Sequence, residues 1–155
     1  MAVKSFFLDA SIMVKLVADE KNSEEVRKCF NDVNSIFSTT NFCFFESLSV
    51  LKRKWCKKEI NKNEYRRYCR LLFAYKVENR VEIEEYPLTN LHDFIKVEHL
   101  TGEYDIDISD GLQLLSIKET ILSEFKEESE TTLITADKDL AEAAREEGVK
   151  VKYIS

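Results

Sequence analysis

The sequence predicts an α/β protein: a three-layer α/β/α sandwich around a central parallel sheet of four to five strands. Short β-like runs alternate with longer runs of helical period, as in βα units whose strands lie parallel. Three glycines and one proline in 155 residues suit long helices joined by short turns rather than a linker-rich or disordered chain. The first strand-like run, "SFFLD" (5–9), reads as buried.

The elements follow in order. After 5–9 a short helix starts at Ser11, and a second runs from Ser23, read as its cap, to about Asp32. "SIFST" (35–39) is the second strand. Thr40 or Asn41 caps the next helix, whose apolar positions Phe42, Phe45, Leu48, Leu51 and Trp55 recur at three-to-four spacing. Asn61 opens a helix with Tyr65, Tyr68, Leu72 and Tyr75 along one side. "RVEIEEY" (80–86) alternates as a third strand and ends at Pro87. Leu91, Phe94, Ile95 and Leu100 mark a helix with Gly102 just past its end. Asp107 or Ser109 caps a long helix through Phe125; 131–137 is the fourth strand, 138–147 a helix stopped by Gly148, and 149–154 the last strand.

Residues 1–155 form one domain on this reading, large enough for a real core. The start shows no basic leader region or cleavage site and the chain no apolar span of membrane length, which fits a cytoplasmic protein without a membrane partner. Cys29, Cys43, Cys56 and Cys69 lie 13 or 14 residues apart, so zinc-site spacing is absent and buried reduced thiols are expected. A net charge of −6 argues against a wholesale nucleic-acid coat, yet allows a basic strip beside an acidic cleft.

Sites on open α/β sheets form beyond the carboxyl ends of the strands. Asp9 closes the first strand there, inside the apolar run "FFLDASIMVKL", and Asp137 closes the fourth. Glu46 interrupts "NFCFFESLSVL", and Asp110 lies in the first turn of the helix that carries "DGLQLLSI". Each has a structural alternative: a turn for Asp9, a dipole-favoured first-turn acid for Asp110, an N-cap for Asp137. Glu46 among apolar neighbours has no obvious partner. Together the four acids converge on one edge, where like charges raise one another's pKa unless a cation neutralises them. An all-oxygen set suits Mg²⁺ or Mn²⁺, which can activate water and offset charge on a phosphodiester without a histidine. Ser11 and Thr135, each two residues from an acid, can orient a carboxylate or a water. Asp105, Asp107 and Asp139 read as loop or supporting residues.

The segments "FFLDASIMVKL", "NFCFFESLSVLKRK", "ISDGLQLLSIK" and "LITADKDL", in this order, resemble the motifs of the PIN domain, the fold of many metal-dependent ribonucleases including VapC-type toxins. The resemblance spans nearly the whole chain. It implies Asp9, Glu46, Asp110 and Asp137 as metal-binding acids, with Ser11 and Thr135 at the usual hydroxyl positions. It also implies an RNA substrate, a frequent homodimer and, in a toxin, an antitoxin in the cleft. Gly111 departs from the usual alanine after the third acid, and is expected only to loosen the helix start slightly. A haloacid-dehalogenase-like phosphatase would need an acid where Ser11 stands. A receiver domain would need a phosphoacceptor Asp where the third strand ends in Tyr86–Pro87. The alternative of a different class is a non-catalytic PIN-like module that binds RNA or protein.

Beyond Glu46 the same helix stripe carries Arg53 and Lys57, about 10 to 16 Å along the axis. These two are the candidate RNA-binding residues, with Arg66, Arg67 and Arg70 on the next helix; the alternative is a solvated, dipole-favoured basic helix end. The tyrosine- and arginine-rich stretch 64–75 is the candidate dimer surface.

Overall fold

The computed structural model describes residues 3–85, 90–123 and 131–155, the last four of the middle segment by backbone alone. Element order is β1 (Lys4–Leu8), α1 (Ala10–Val17), α2 (Ser23–Phe30), β2 (Ser35–Thr40), α3 (Asn41–Cys56), α4 (Lys62–Val77), β3 (Glu82–Glu84), α5 (Leu91–Glu103), α6 (Ile108–Ser123), β4 (Thr131–Thr135), α7 (Lys138–Glu146) and β5 (Lys150–Tyr153). The five strands form one parallel sheet in the order β3-β2-β1-β4-β5. The predicted α/β/α sandwich is therefore the observed one.

Alternation along the strands splits the core. Phe6 and Leu8 of β1, with Ile134 of β4, pack against α1–α4; Phe7 and Leu133 point the other way, against α5–α7. Both faces of the sheet are thus covered, as a parallel sheet requires. The strand order runs outward in both directions from β1 and β4, so their carboxyl ends flank the point where the winding reverses.

Several expectations shift. Helix α1 begins at Ala10, with Asp9 as its N-cap. Asn22, left-handed at φ 64°, precedes α2. Ser23 is not its cap: its hydroxyl donates to the Ala18 carbonyl and accepts the Glu20 N–H. In α3 the buried stripe is Cys43, Ser47 and Leu51, and Phe45 is 68 % exposed. In α4, Tyr68 is buried and Tyr65 and Tyr75 pack against the core, so the tyrosines of 64–75 face inward. Arg66, Arg67 and Arg70 remain outside. In α5, Leu91, Phe94 and Ile95 are exposed while Val97 and Leu100 are buried. Gly102 lies within α5, whose cap is Tyr104. Strand β3 is only Glu82–Glu84, and the predicted ends at Tyr86–Pro87 and Phe125 fall outside the described residues. The four cysteines are free, as expected, but only Cys43 and Cys69 are buried; Cys29 is half-buried and Cys56 exposed.

Gly111 does more than loosen a helix start. A Cβ there would lie 2.9 Å from Thr101 Cγ2 and 3.3 Å from Val97 Cγ1, so the missing methyl is the space into which α5 packs.

Candidate active site

Local chemistry sets each acid in place. Asp9 leaves β1 at the sheet's carboxyl edge, and its N–H still bonds to the Ile134 carbonyl, tying it to β4. Only 4 % of it is exposed. Its Oδ1 accepts the Ala10 N–H at 2.7 Å, and Oδ2 accepts two hydroxyls, from Ser11 at 2.6 Å and Thr135 at 2.9 Å. Those hydroxyls are themselves held: Ser11 Oγ accepts the Ala136 N–H and Thr135 Oγ1 the Asp137 N–H. The two strand ends are thus clamped around one carboxylate, fixing its rotamer. Thr39, on the other neighbouring strand, donates its hydroxyl to the Leu8 carbonyl.

Asp137 follows β4 and caps α7 through Oδ1, which accepts the Asp139 and Leu140 N–H groups. Oδ2 is not used in the cap. Asp110 stands in the first turn of α6, whose cap is Asp107: its Oδ1 accepts the Asp110 N–H at 2.8 Å. The other cap candidate, Ser109, turns across to α3 and donates to Glu46 Oε2 at 3.2 Å. Sequence reasoning had no signal for that cross-helix bond, because a serine at a helix start reads as a cap.

Electrostatics show that the acids share one neighbourhood. Asp110 is pushed up to about 8, first by burial and then by the charges of Asp9, Asp107, Asp137 and Glu46. Burial also raises Glu46, as do Asp9 and Asp107, while the Ser109 hydroxyl and Arg53 pull the other way. Asp9 is raised too: desolvation outweighs its three hydrogen bonds, and Asp137 adds to it. Among the described residues, none of Asp9, Glu46, Asp110 or Asp137 is ion-paired with lysine or arginine.

The four acids are not a closed ligand shell as they stand. Among the described residues no three His, Cys, Asp or Glu side chains are gathered to hold a metal ion. The donor chemistry nevertheless fits a hard divalent cation: oxygens alone, raised by burial and mutual repulsion, and among the described residues in no ion pair with lysine or arginine. His92 and His99 lie on the exposed side of α5 and take no part. Arg53 on α3 and Lys57 at its C-cap are exposed beyond Glu46, and Lys54 between them is drawn into pairs with Glu20 and Glu59.

The profile of the PIN domain matches residues 6–146. Comparison with curated proteins gives no match. Among solved structures, a Pyrobaculum aerophilum protein superposes with a TM-score of 0.64 at 13% identity, over 96% of this chain and 84% of that one. VapC20 of Mycobacterium tuberculosis, a Sarcin-Ricin loop cleaving toxin, gives 0.65 at 13% identity, over 89% and 94%. VapBC2 of Rickettsia felis, solved bound to a DNA fragment from its promoter, gives 0.57 at 13%, over 96% and 98%.

Proposed function

The chain belongs to the PIN domain family, and on that premise we propose that it is one endoribonuclease domain that hydrolyses RNA phosphodiester bonds with Mg²⁺ or Mn²⁺. One observation carries the reading: Asp9, Glu46 and Asp110 are held in a common field at the sheet's switch point with their pKa values raised and, among the described residues, no lysine or arginine ion-paired to them. Asp9, Glu46, Asp110 and Asp137 would hold the cation. Bound there, a divalent ion supplies a water of lowered pKa and neutralises charge on the phosphodiester. The chain's own residues do the rest. Ser11 and Thr135 keep the Asp9 carboxylate pointed, Ser109 keeps Glu46 turned toward α6, and the cap on Asp110's own N–H sets where α6 begins.

The experiment is cleavage of mixed single-stranded RNA by the purified chain. Cleavage is expected in Mn²⁺ or Mg²⁺ and should vanish in chelator. RNA binding with no cleavage in either ion would make the chain a non-catalytic module. A VapC-like fold adds the proposal that the chain is a cytoplasmic toxin whose activity an antitoxin stops, and that it pairs with a second copy of itself; co-purification with a neighbouring short protein tests the first.

Arg53 and Lys57 are proposed to track the RNA backbone beside the acids. Arg53→Ala with Lys57→Ala is expected to weaken RNA binding and flatten its dependence on salt, lowering the log–log slope by up to about 1.4 at roughly 0.7 per phosphate contact. Cation affinity should hardly change. An unaltered salt slope would assign both residues to a solvated helix face.

A further inference from the structure

Among the described residues, the buried side-chain polar atoms without a partner are both on one residue, the amide nitrogen and oxygen of Gln113. Gln113 is 1 % exposed. A buried amide left wholly unpaired is costly and rare, and an apolar side chain of the same length would fill the space without that cost.

Its place on α6 says what it faces. The Ser109 hydroxyl reaches Glu46 of α3, so the stripe of α6 that carries residue 109 looks across at the acids. Gln113 is the next residue on that stripe, one turn deeper. It is also three residues from Asp110, a spacing at which two helix side chains have Cβ atoms about 5 to 6 Å apart and a Gln–Asp hydrogen bond can form. Among the described residues, the Asp110 carboxylate accepts no hydrogen bond; only its N–H is bonded, to Asp107, and burial and its acidic neighbours are what push its value up. A donor without an acceptor thus stands one turn from a carboxylate without a donor.

We infer that Gln113 is a positioning residue: its amide N–H donates to the Asp110 carboxylate when the acids hold a divalent cation, fixing that carboxylate toward the ion. The inference rests on the cation site proposed above. A hydrogen bond of this kind, from a residue behind the ligand, orients it and raises its affinity for metal, and losing one typically lowers metal affinity by about 10- to 100-fold.

Gln113→Met keeps the length and removes the amide. In chelator it should melt at or above the wild-type temperature, because two unpaired polar atoms are gone from the interior. Its Mn²⁺ affinity, by titration calorimetry on the folded protein, should fall at least tenfold. Wild-type affinity in Gln113→Met would overturn the inference, leaving Gln113 as packing alone. Asp110→Asn separates the two levels: if it loses Mn²⁺ affinity and Gln113→Met does not, only the Gln113 assignment fails. If wild type binds no Mn²⁺, or Asp110→Asn binds it equally well, the cation site fails and takes Gln113 with it. A measurement on wild type needs no variant to fold: the Gln113 side-chain NH₂ signals should shift when Mg²⁺ is added, and unmoved signals would also overturn it.

Discussion

Asp9→Asn is expected to lower RNA cleavage by orders of magnitude while leaving the cation-free fold standing. Two opposed effects decide the second half. The carboxylate accepts three hydrogen bonds, from Ala10, Ser11 and Thr135, and asparagine can accept only at its one oxygen. Against that, an ionised group with 4 % exposure loses nearly all its hydration and is repelled by Asp137. The raised pKa of Asp9 gives the balance: desolvation exceeds the hydrogen bonds, so a neutral group is favoured there. The asparagine NH₂ can also donate to the lone pairs that Ser11 and Thr135 have left after accepting Ala136 and Asp137. In chelator the variant should therefore melt at the same or a higher temperature than wild type. Added Mn²⁺ reverses the order. At a concentration 100 times its Kd, a ligand stabilises by about 2.7 kcal/mol, and a tenfold loss of affinity roughly halves that. At about 2 to 4 °C per kcal/mol for a chain of this size, the wild-type gain is some 5 to 10 °C. Melting curves with and without Mn²⁺, plus the cleavage assay, check both halves. Unfolding in chelator would make Asp9 a structural cap, and wild-type cleavage would remove it from the site.

Strand ends were the legible part of the site. An acid that closes an apolar run at the carboxyl edge is visible in sequence, and Asp9 and Asp137 stand where the winding reverses. The neighbours that shape them were less visible, for physical reasons. The buried stripe of α3 runs through Cys43 and Ser47, and Ser47 is tolerated at zero exposure because its hydroxyl donates to the Cys43 carbonyl one turn back. Hydrophobic periodicity counts that serine as polar and Phe45 as apolar, and so rotates the helix. In α5 the same counting picked the buried Leu100 but also the exposed Leu91, Phe94 and Ile95, and passed over the buried Val97. The role of Gly111 needed the third dimension, since nothing in "SDGLQ" says that Thr101 will lie against it. The structural alternatives hold for Asp137, which caps α7, and for Asp110, in the first turn of α6; Asp9, whose alternative was a turn, caps α1 instead, and capping leaves Asp9 and Asp137 with unused acceptor capacity.

Stability in chelator should fall as pH rises toward 8, and Asp110→Asn should remove much of that slope. Asp110 has an ordinary carboxyl value of 3.8 and is pushed up to about 8 in the folded protein, by burial first and by four acidic neighbours after it. Below pH 3.8 both states hold the proton, and the contribution is fully present. Between roughly pH 4 and 8 the unfolded chain has released the proton while the folded one retains it, so the unfolded state binds fewer protons and stability declines with pH. Above about 8 the folded group ionises as well and the decline ends. A tenfold difference in proton affinity between the two states is worth about 1.4 kcal/mol. Part exposure of the group screens that, leaving a total on the order of a few kcal/mol and a fall in Tm on the order of 10 °C across the window. Asparagine cannot ionise, so its profile should be flatter. A divalent cation favours the ionised acids, so the wild-type decline should shrink in Mn²⁺ and its affinity should climb with pH until about 8. At pH 8 the order of the two proteins should then invert, wild type below Asp110→Asn in chelator and above it in Mn²⁺. Parallel curves in chelator would mean that Asp110 ionises as readily in the folded chain as in the unfolded one. Its acidic neighbours would then not be acting on Asp110, and it would have no need of a cation.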